Sequence, residues 1–454
     1  MTTSESPRAP RDRTAEAPVA GVCDPRFAAV EHAFRENLRV RGELGGAVCV
    51  RIDGRTVVDL WGGHRDAERR SPWQRDTLVN VYSVGKGITA MLALALVERG
   101  ELDLDRPVVE HWPEFAAWDK GPTTLRMLLA HRGGLPAVRA PLPPDALFDW
   151  SAMTRALADQ APYWTPGTDH GYHVNTHGFL VGEPIARRLG ASFGRILRDR
   201  ISGPHSADFH SGLAPHEHAR VATLIQPFPS PDPDVAAPPA AKTASAAGSA
   251  PGSTAAATTG AATGSVAPSG AAAVRTPGAL PPSLATGDPA IDAILPAAYF
   301  NPPGLSGFGV VNTAAWRSAS IPSTNSHATA RAVATLYDVF LRVDPDRGGF
   351  VGPGLRAEAR QTASEGPDRI LGKPSRFGLG FQLPQATRPI GGGEACFGHY
   401  GYGGSLGFAD AEADLAFGYV MNLPGDRWQN ARTLALVDAV YAALGARAAG
   451  SALA

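Results

Sequence analysis

The chain has 454 residues, with 42 Lys plus Arg against 43 Asp plus Glu and a net charge of -1. That balance excludes the basic footprint of a dedicated nucleic-acid binder. No stretch approaches the ~20 apolar residues of a membrane span. The first 21 residues are rich in Pro, Arg, Glu and Ser and lack an apolar core, so no secretory signal is read and a cytoplasmic location is expected. Cys23, Cys49 and Cys396 are too few and too scattered for a disulfide framework or a zinc ribbon. They read as reduced thiols.

Residues 1–20 read as a disordered tail. Phe27, Val30, Phe34 and Leu38 recur at helical spacing and predict a helix over 24–41. Two β-branched runs, 46–52 and 56–61, flank Asp53-Gly54, a strong hairpin signal. Helices are predicted over 83–99 (closed by Gly100), 123–130 (stopped at Arg132-Gly133-Gly134-Leu135-Pro136), 151–160, 178–189 and 193–199. The tract 229–287 has no aromatic residue and only Asp232, Asp234, Lys242 and Arg275 as charges. It cannot bury enough apolar surface to offset its chain entropy and reads as a disordered insertion. Beyond it, Asn325-Ser326 is read as the cap of a helix over 327–343. Strand-like segments follow at 377–383, 395–399, 405–410 and 415–421, then a helix over 432–444. Strands at both ends with helices between predict one α/β sheet built from both chain ends, holding an inserted helical lobe.

Three serines compete as nucleophile. Gly190-Ala-Ser192-Phe-Gly194 has the G-x-S-x-G form but follows a helix, whereas a nucleophile elbow must follow a strand. Gly190 then reads as a helix stop and Ser192 as the next cap. Gly403-Gly-Ser405-Leu-Gly407 fails on chain order, because no histidine follows Ser405. Ser83-Val-Gly-Lys86 remains, the only S-x-x-K in a chain with just four lysines, Lys86, Lys120, Lys242 and Lys373. Ser83 opens a helix and Lys86 lies one turn on, on the same face. A serine hydroxyl needs a base within hydrogen-bond reach, and an amine can serve if burial lowers its pKa. The helix N-terminus also aims N–H groups at a developing oxyanion.

Two further segments extend the pattern: Tyr172 in Gly171-Tyr-His-Val-Asn-Thr-His177, and His399-Tyr-Gly401 before Gly403-Gly-Ser-Leu-Gly-Phe-Ala-Asp410. S-x-x-K, then Tyr, then H-x-G, in that order, resembles the serine β-lactamase and penicillin-binding superfamily. The likeness is greatest to class C β-lactamases and family VIII carboxylesterases. It extends through Leu125-Arg-Met-Leu-Leu-Ala-His-Arg-Gly-Gly-Leu-Pro136, Pro166-Gly-Thr168 and Asn325-Ser-His-Ala-Thr-Ala-Arg331. The resemblance implies an antiparallel sheet flanked by helices, with an α/β part over about 21–122 and 310–450 and a helical lobe over about 123–309, together one hydrolase domain over 21–450. It also implies roles. Ser83 would be acylated, Lys86 would take or share its proton, and Tyr172 would relay a proton to the leaving group. His399 would stand where relatives carry the Lys of K-T-G. The N–H groups of Ser83 and Tyr402 would form the oxyanion hole, with Tyr400, Gly401 and Gly403 along the cleft edge.

One departure bears on substrate. Relatives acting on β-lactams and peptides carry Y-x-N, whose Asn binds the acyl amide. Here that position is Val174, and Asn175 comes one residue late. The motif instead resembles the Y-H-x-x-T of esterase-like members. A carboxylesterase acting on small esters is therefore expected, with acyl transfer to an alcohol or amine, β-lactamase or peptidase action, and a silent ligand-binding member as alternatives. No cofactor is expected. His205, Asp208, His210, His216, Glu217 and His218 match no compact zinc pattern and read as a polar surface loop. His170, His173 and His177 surround Tyr172, and His173 reads as a hydrogen-bonded structural residue.

Overall fold

The structure is a computed structural model that describes residues 18–225, 284–342, 349–425 and 428–445. Most of the predicted tail and of the predicted insertion lies outside those residues. Of the insertion, 284–287 are described, with Thr286 anchored through its N–H and hydroxyl to Asp292 at 2.8 and 2.7 Å.

Asp53 and Gly54 adopt φ of 47° and 74°. That pair of left-handed residues matches the twist of the hairpin they close. It joins Gly45–Ile52 (β2) to Arg55–Gly63 (β3), and Val19–Cys23 (β1) pairs on the outer side of β3. Late strands complete the sheet: Cys396–Tyr400 (β9), Leu406–Asp410 (β10) and Leu415–Met421 (β11). The order is β1-β3-β2-β11-β10-β9. All pairings are antiparallel, and β11 runs beside β2 from Leu415↔Ile52 to Met421↔Gly46. The sheet is thus closed by the two ends of the chain.

Strand alternation divides the core. Val48 and Val50 face Phe27, Val30 and Phe34 around helix Ala28–Arg39 (α1) and Leu436 and Val440 of helix Ala431–Ala443 (α12). Ala47 and Cys49 face the other way, into a core shared with helix Val84–Glu98 (α2) and helix Ala330–Leu341 (α10). Helix α2 is buried on every side from Val84 to Leu96 because it lies between this sheet and the helical lobe. The lobe contains Leu125–Leu129 (α3), Trp150–Asp159 (α4), His177–Leu189 (α5) and Phe193–Leu197 (α6), then Pro289–Asp292 (α7), Leu295–Phe300 (α8) and Ala314–Ser318 (α9).

A small sheet stands beside the nucleophile segment. Val79–Asn80 (β4) and Phe209–His210 (β5) each pair with His327–Ala328 (β6). This corrects the expected helix over 327–343. Its first residues are recruited into β6, and Thr329, accepting from Ala332 N–H at 3.1 Å, is the cap of α10. Likewise, the strand expected over 377–383 is cut short. Ser364–Pro367 (β7) and Pro374–Phe377 (β8) form a hairpin after helix Pro353–Ala359 (α11), and the chain then turns through Gly380 at φ 80°.

Lys120 is structural: its ammonium donates to the carbonyls of Ala117, Ala158 and Gln160 at 2.6, 2.9 and 2.7 Å. A second buried charge ties the two ends together. Arg432 of α12 donates to Glu43 at 3.0 Å, and the Tyr419 hydroxyl donates to the same carboxylate. Burial pushes the Glu43 carboxyl from 4.5 up to about 7 against the pull of Arg432. A folded-state value above the unfolded one means that this contribution is whole below about pH 4.5 and fades as pH rises through about 7. Arg432→Ala is expected to cost about 3–5 kcal/mol, because it strands a buried carboxylate. Denaturant unfolding should give a larger loss at pH 8 than at pH 5, where the carboxyl can protonate.

Candidate active site

Ser83 follows Tyr82, which is held at φ 48°. A left-handed aromatic residue is strained and persists only where surrounding contacts impose it. Here Val81 N–H donates to Ser326 O at 2.8 Å, while the Ser405 hydroxyl donates to Val81 O at 3.1 Å. The turn places Ser83 at the cap position of α2, half-buried and reachable from solvent. Its N–H donates to no other group among the described residues.

Lys86, one turn on, is fully buried, with Nζ 2.9 Å from Ser83 Oγ, 2.6 Å from Val174 O and 3.2 Å from Ser323 O. Burial holds this amine well below the ordinary lysine range. Two of the three neighbours are carbonyls that can only accept. A neutral amine satisfies both with its two hydrogens and leaves its lone pair facing the Ser83 hydroxyl, the arrangement a general base requires. Ser323 is itself fixed, since its hydroxyl accepts from Gly178 N–H at 2.6 Å.

Tyr172 is 1 % exposed, and its ring centroid lies 4.9 Å from Lys86 Nζ. Its hydroxyl has no well-formed hydrogen bond, yet it faces Ser83 closely enough for that contact to offset part of the effect of burial. Burial raises its pKa, so the phenol keeps its proton. Around it stand the rings of His131 at 5.0 Å, Phe377 at 5.8 Å, His399 at 5.9 Å and Trp428 at 5.6 Å. His173 is structural as expected: it donates from Nδ1 to Gly171 O at 2.7 Å and accepts at Nε2 from Leu135 N–H at 3.0 Å. His177, at the start of α5, is buried 4.6 Å from the His131 ring.

His399, on β9, donates from Nδ1 to Tyr400 O at 2.7 Å. Burial, reinforced by Lys86, lowers its pKa to about 3. It is therefore a neutral imidazole with its Nε2 lone pair in a buried site. Strand alternation turns the Tyr400 ring to the opposite face, into the core with α12. Tyr400 is thus not a side-chain element of the cleft edge, and only its backbone lies there. Gly401 cannot be replaced: a Cβ would sit 2.2 Å from Ser405 Oγ and 2.3 Å from Val81 O. That closeness brings Tyr402, the next residue, against the nucleophile turn, where its ring meets Tyr82 edge-on at 5.3 Å. Phe308 and then Phe300 continue the aromatic surface at 6.3 and 5.9 Å. Gly403, at φ 77°, is buried against Pro424.

The rejected serines lie elsewhere in the fold. Ser405 is buried and holds Val81, and Ser192 precedes α6 after Gly190 ends α5 at φ 63°. Asn175 is consumed by the fold. It donates to Ala298 O at 2.8 Å and Ser306 Oγ at 3.0 Å, and accepts from the Thr324 hydroxyl at 2.6 Å. In the histidine-rich loop, Asp208 and Glu217 both bind Arg220, and Asp208 also pairs with His210 at 2.7 Å. His131 and Ser323 escaped the sequence reading as site residues. Nothing in their spacing reports contacts made across 42 and 237 residues.

A model of the Beta-lactamase family matches residues 30–441, and the chain belongs to that family. It is a serine hydrolase with the β-lactamase-like fold. Among curated relatives, Esterase/beta-lactamase LipL of Mycobacterium tuberculosis is 32% identical over 413 residues, covering 89% of this chain and 83% of its own. Among solved structures, a penicillin-binding protein homologue from Caulobacter crescentus matches with a TM-score of 0.75 and 32% identity, over 94% of this chain and 100% of that one. A family VIII carboxylesterase matches with a TM-score of 0.73 and 29% identity over the same shares. No helix among the described residues is long and apolar enough to cross a membrane.

Proposed function

We propose that this serine hydrolase is a carboxylesterase that acts on small esters through an acyl-Ser83 intermediate. The observation that carries the reading is Lys86 Nζ at 2.9 Å from Ser83 Oγ with its two remaining neighbours both carbonyls. In acylation the Ser83 proton passes to the Lys86 lone pair as Oγ attacks the ester carbon. The carbonyl electron pair moves onto oxygen, which the N–H groups of Ser83 and Tyr402 receive at the head of α2. Collapse expels the alkoxide, which takes the Tyr172 phenolic proton, and the Lys86 ammonium restores that proton. Water then attacks the acyl-enzyme with Lys86 again as base, and Ser83 is regenerated.

Two features favour esters over amide-bearing substrates. Asn175, the nearest candidate for binding an acyl amide, is saturated by Ala298, Ser306 and Thr324. His399, neutral at working pH, offers no positive charge to a substrate carboxylate. The family VIII carboxylesterase agrees with this choice by its name, whereas LipL is named for both esterase and β-lactamase activity. Incubation with a short-chain p-nitrophenyl ester should give steady release of p-nitrophenol that disappears in Ser83→Ala and persists in Ser192→Ala. Undiminished release from a folded Ser83→Ala would overturn the assignment.

A further inference from the structure

Asp368, in the loop between β7 and β8, is 2 % exposed. Every hydrogen bond its carboxylate accepts among the described residues comes from a neutral donor. Tyr172 N–H reaches both oxygens, at 3.0 and 3.1 Å; Ile370 N–H and Leu371 N–H reach Oδ1 at 2.8 and 2.9 Å; and the Ser375 hydroxyl reaches Oδ2 at 2.7 Å. Arg388 acts on this carboxylate electrostatically but makes no hydrogen bond or ion pair with it. A buried carboxylate so placed is costly, and such groups are kept where their hydrogen bonds fix something. Here the fixed object is the backbone of Tyr172, 196 residues away in sequence.

The same loop grips the residues before Tyr172. Arg369 N–H donates to His170 O at 3.2 Å, His170 Nε2 lies 3.0 Å from Ser375 Oγ, and Arg369 pairs with Asp169 at 3.0 Å. Because the Ser375 hydroxyl donates to Asp368, His170 must donate to Ser375, which defines the chain His170–Ser375–Asp368–Tyr172. From the other side, Gly171 N–H donates to His131 O at 3.1 Å and His173 N–H to His131 Nδ1 at 3.2 Å. Three consecutive N–H groups, 171 to 173, are thus held by two residues, His131 and Asp368, from two separate loops.

We propose that Asp368 is a positioning residue for the reaction: by holding the Tyr172 N–H, it sets where the phenolic hydroxyl meets the leaving group. This rests on the reading of Tyr172 as proton donor. A carboxylate suits the task because it accepts from all four donors at once, whereas a misplacement of about 1 Å in such a group can cost ~10²-fold in rate.

The test compares Asp368→Ala, Asp368→Asn and Tyr172→Phe, singly and combined, by steady-state ester hydrolysis. Asp368→Ala should lower kcat by about 10²-fold with KM within about threefold. Asp368→Asn keeps an oxygen for Tyr172 N–H and should recover kcat to within about fivefold of wild type. On a Tyr172→Phe background, Asp368→Ala should cost less than about threefold more, since nothing remains to be positioned. A merely structural role would lower the melting temperature yet leave the two losses multiplicative. If Asp368→Ala fails to fold, Ser375→Ala, which removes one link of the chain, should lower kcat by about 3–10-fold with the same coupling. A disabled Tyr172→Phe beside near-wild-type kcat in Asp368→Ala, or in Ser375→Ala, overturns the proposal alone. Wild-type turnover in Tyr172→Phe overturns both it and the role given to Tyr172.

Discussion

Lys86→Ala and Tyr172→Phe are each expected to lower kcat by ~10²–10⁴, the range for losing a positioned acid or base. The double variant should be little worse than the poorer single one, because the two groups handle one proton in turn. Burial acts on them in opposite senses, lowering the amine and raising the phenol. Burial thereby biases the pair toward a free base beside a protonated donor, the state in which neither buried group carries a charge. The sign of the pH dependence follows. Activity needs the unprotonated amine, so kcat/KM should fall as pH drops through the depressed Lys86 value, and that acid limb should lie well below the ordinary lysine 10.5. His399, at about 3, should contribute no inflection near neutrality. Multiplicative losses in the double variant would mean that the residues act in separate steps.

For substrates, kcat/KM for a simple aryl ester is expected to exceed that for nitrocefin by at least ~10²-fold. A β-lactam brings an acyl amide and a carboxylate into the cleft. The amide finds Asn175 already bonded three times, and the carboxylate finds a neutral imidazole where an ammonium would attract it. Each polar group buried without its partner costs about 1–3 kcal/mol, or about one to two decades in rate. An aryl ester carries neither group and escapes both losses. Steady-state kinetics on the two substrates measures the ratio. Efficient cephalosporin turnover with negligible ester hydrolysis would reverse the substrate assignment.

What was legible in the sequence follows from the range of the interactions. The β2–β3 hairpin is written in a local alternation and a two-residue turn, and Ser83–Lys86 in a one-turn spacing, so both could be read directly. Tyr172 and His399 needed the resemblance, because neither has a local signature of its chemistry. The start of α10 was misread because His327 and Ala328 prefer pairing with β4 and β5, a tertiary contact that overrides a plausible local cap. Tyr400 was misplaced for a different reason. A strand beside the site exposes only alternate side chains to it, and the motif alone does not say which. Asp368, Ser323 and His131 stayed invisible because they act on main-chain groups or through them. Such contacts leave no pattern in residue types.

The central claim, that Ser83 is the residue acylated, is tested most directly by peptide-level mass spectrometry after labelling with a fluorophosphonate ester. The adduct should map to the peptide carrying Ser83, form at wild-type rate in Ser192→Ala, and be absent from Ser83→Ala. An adduct on Ser405 or Ser192, or labelling that survives Ser83→Ala in folded protein, would contradict it.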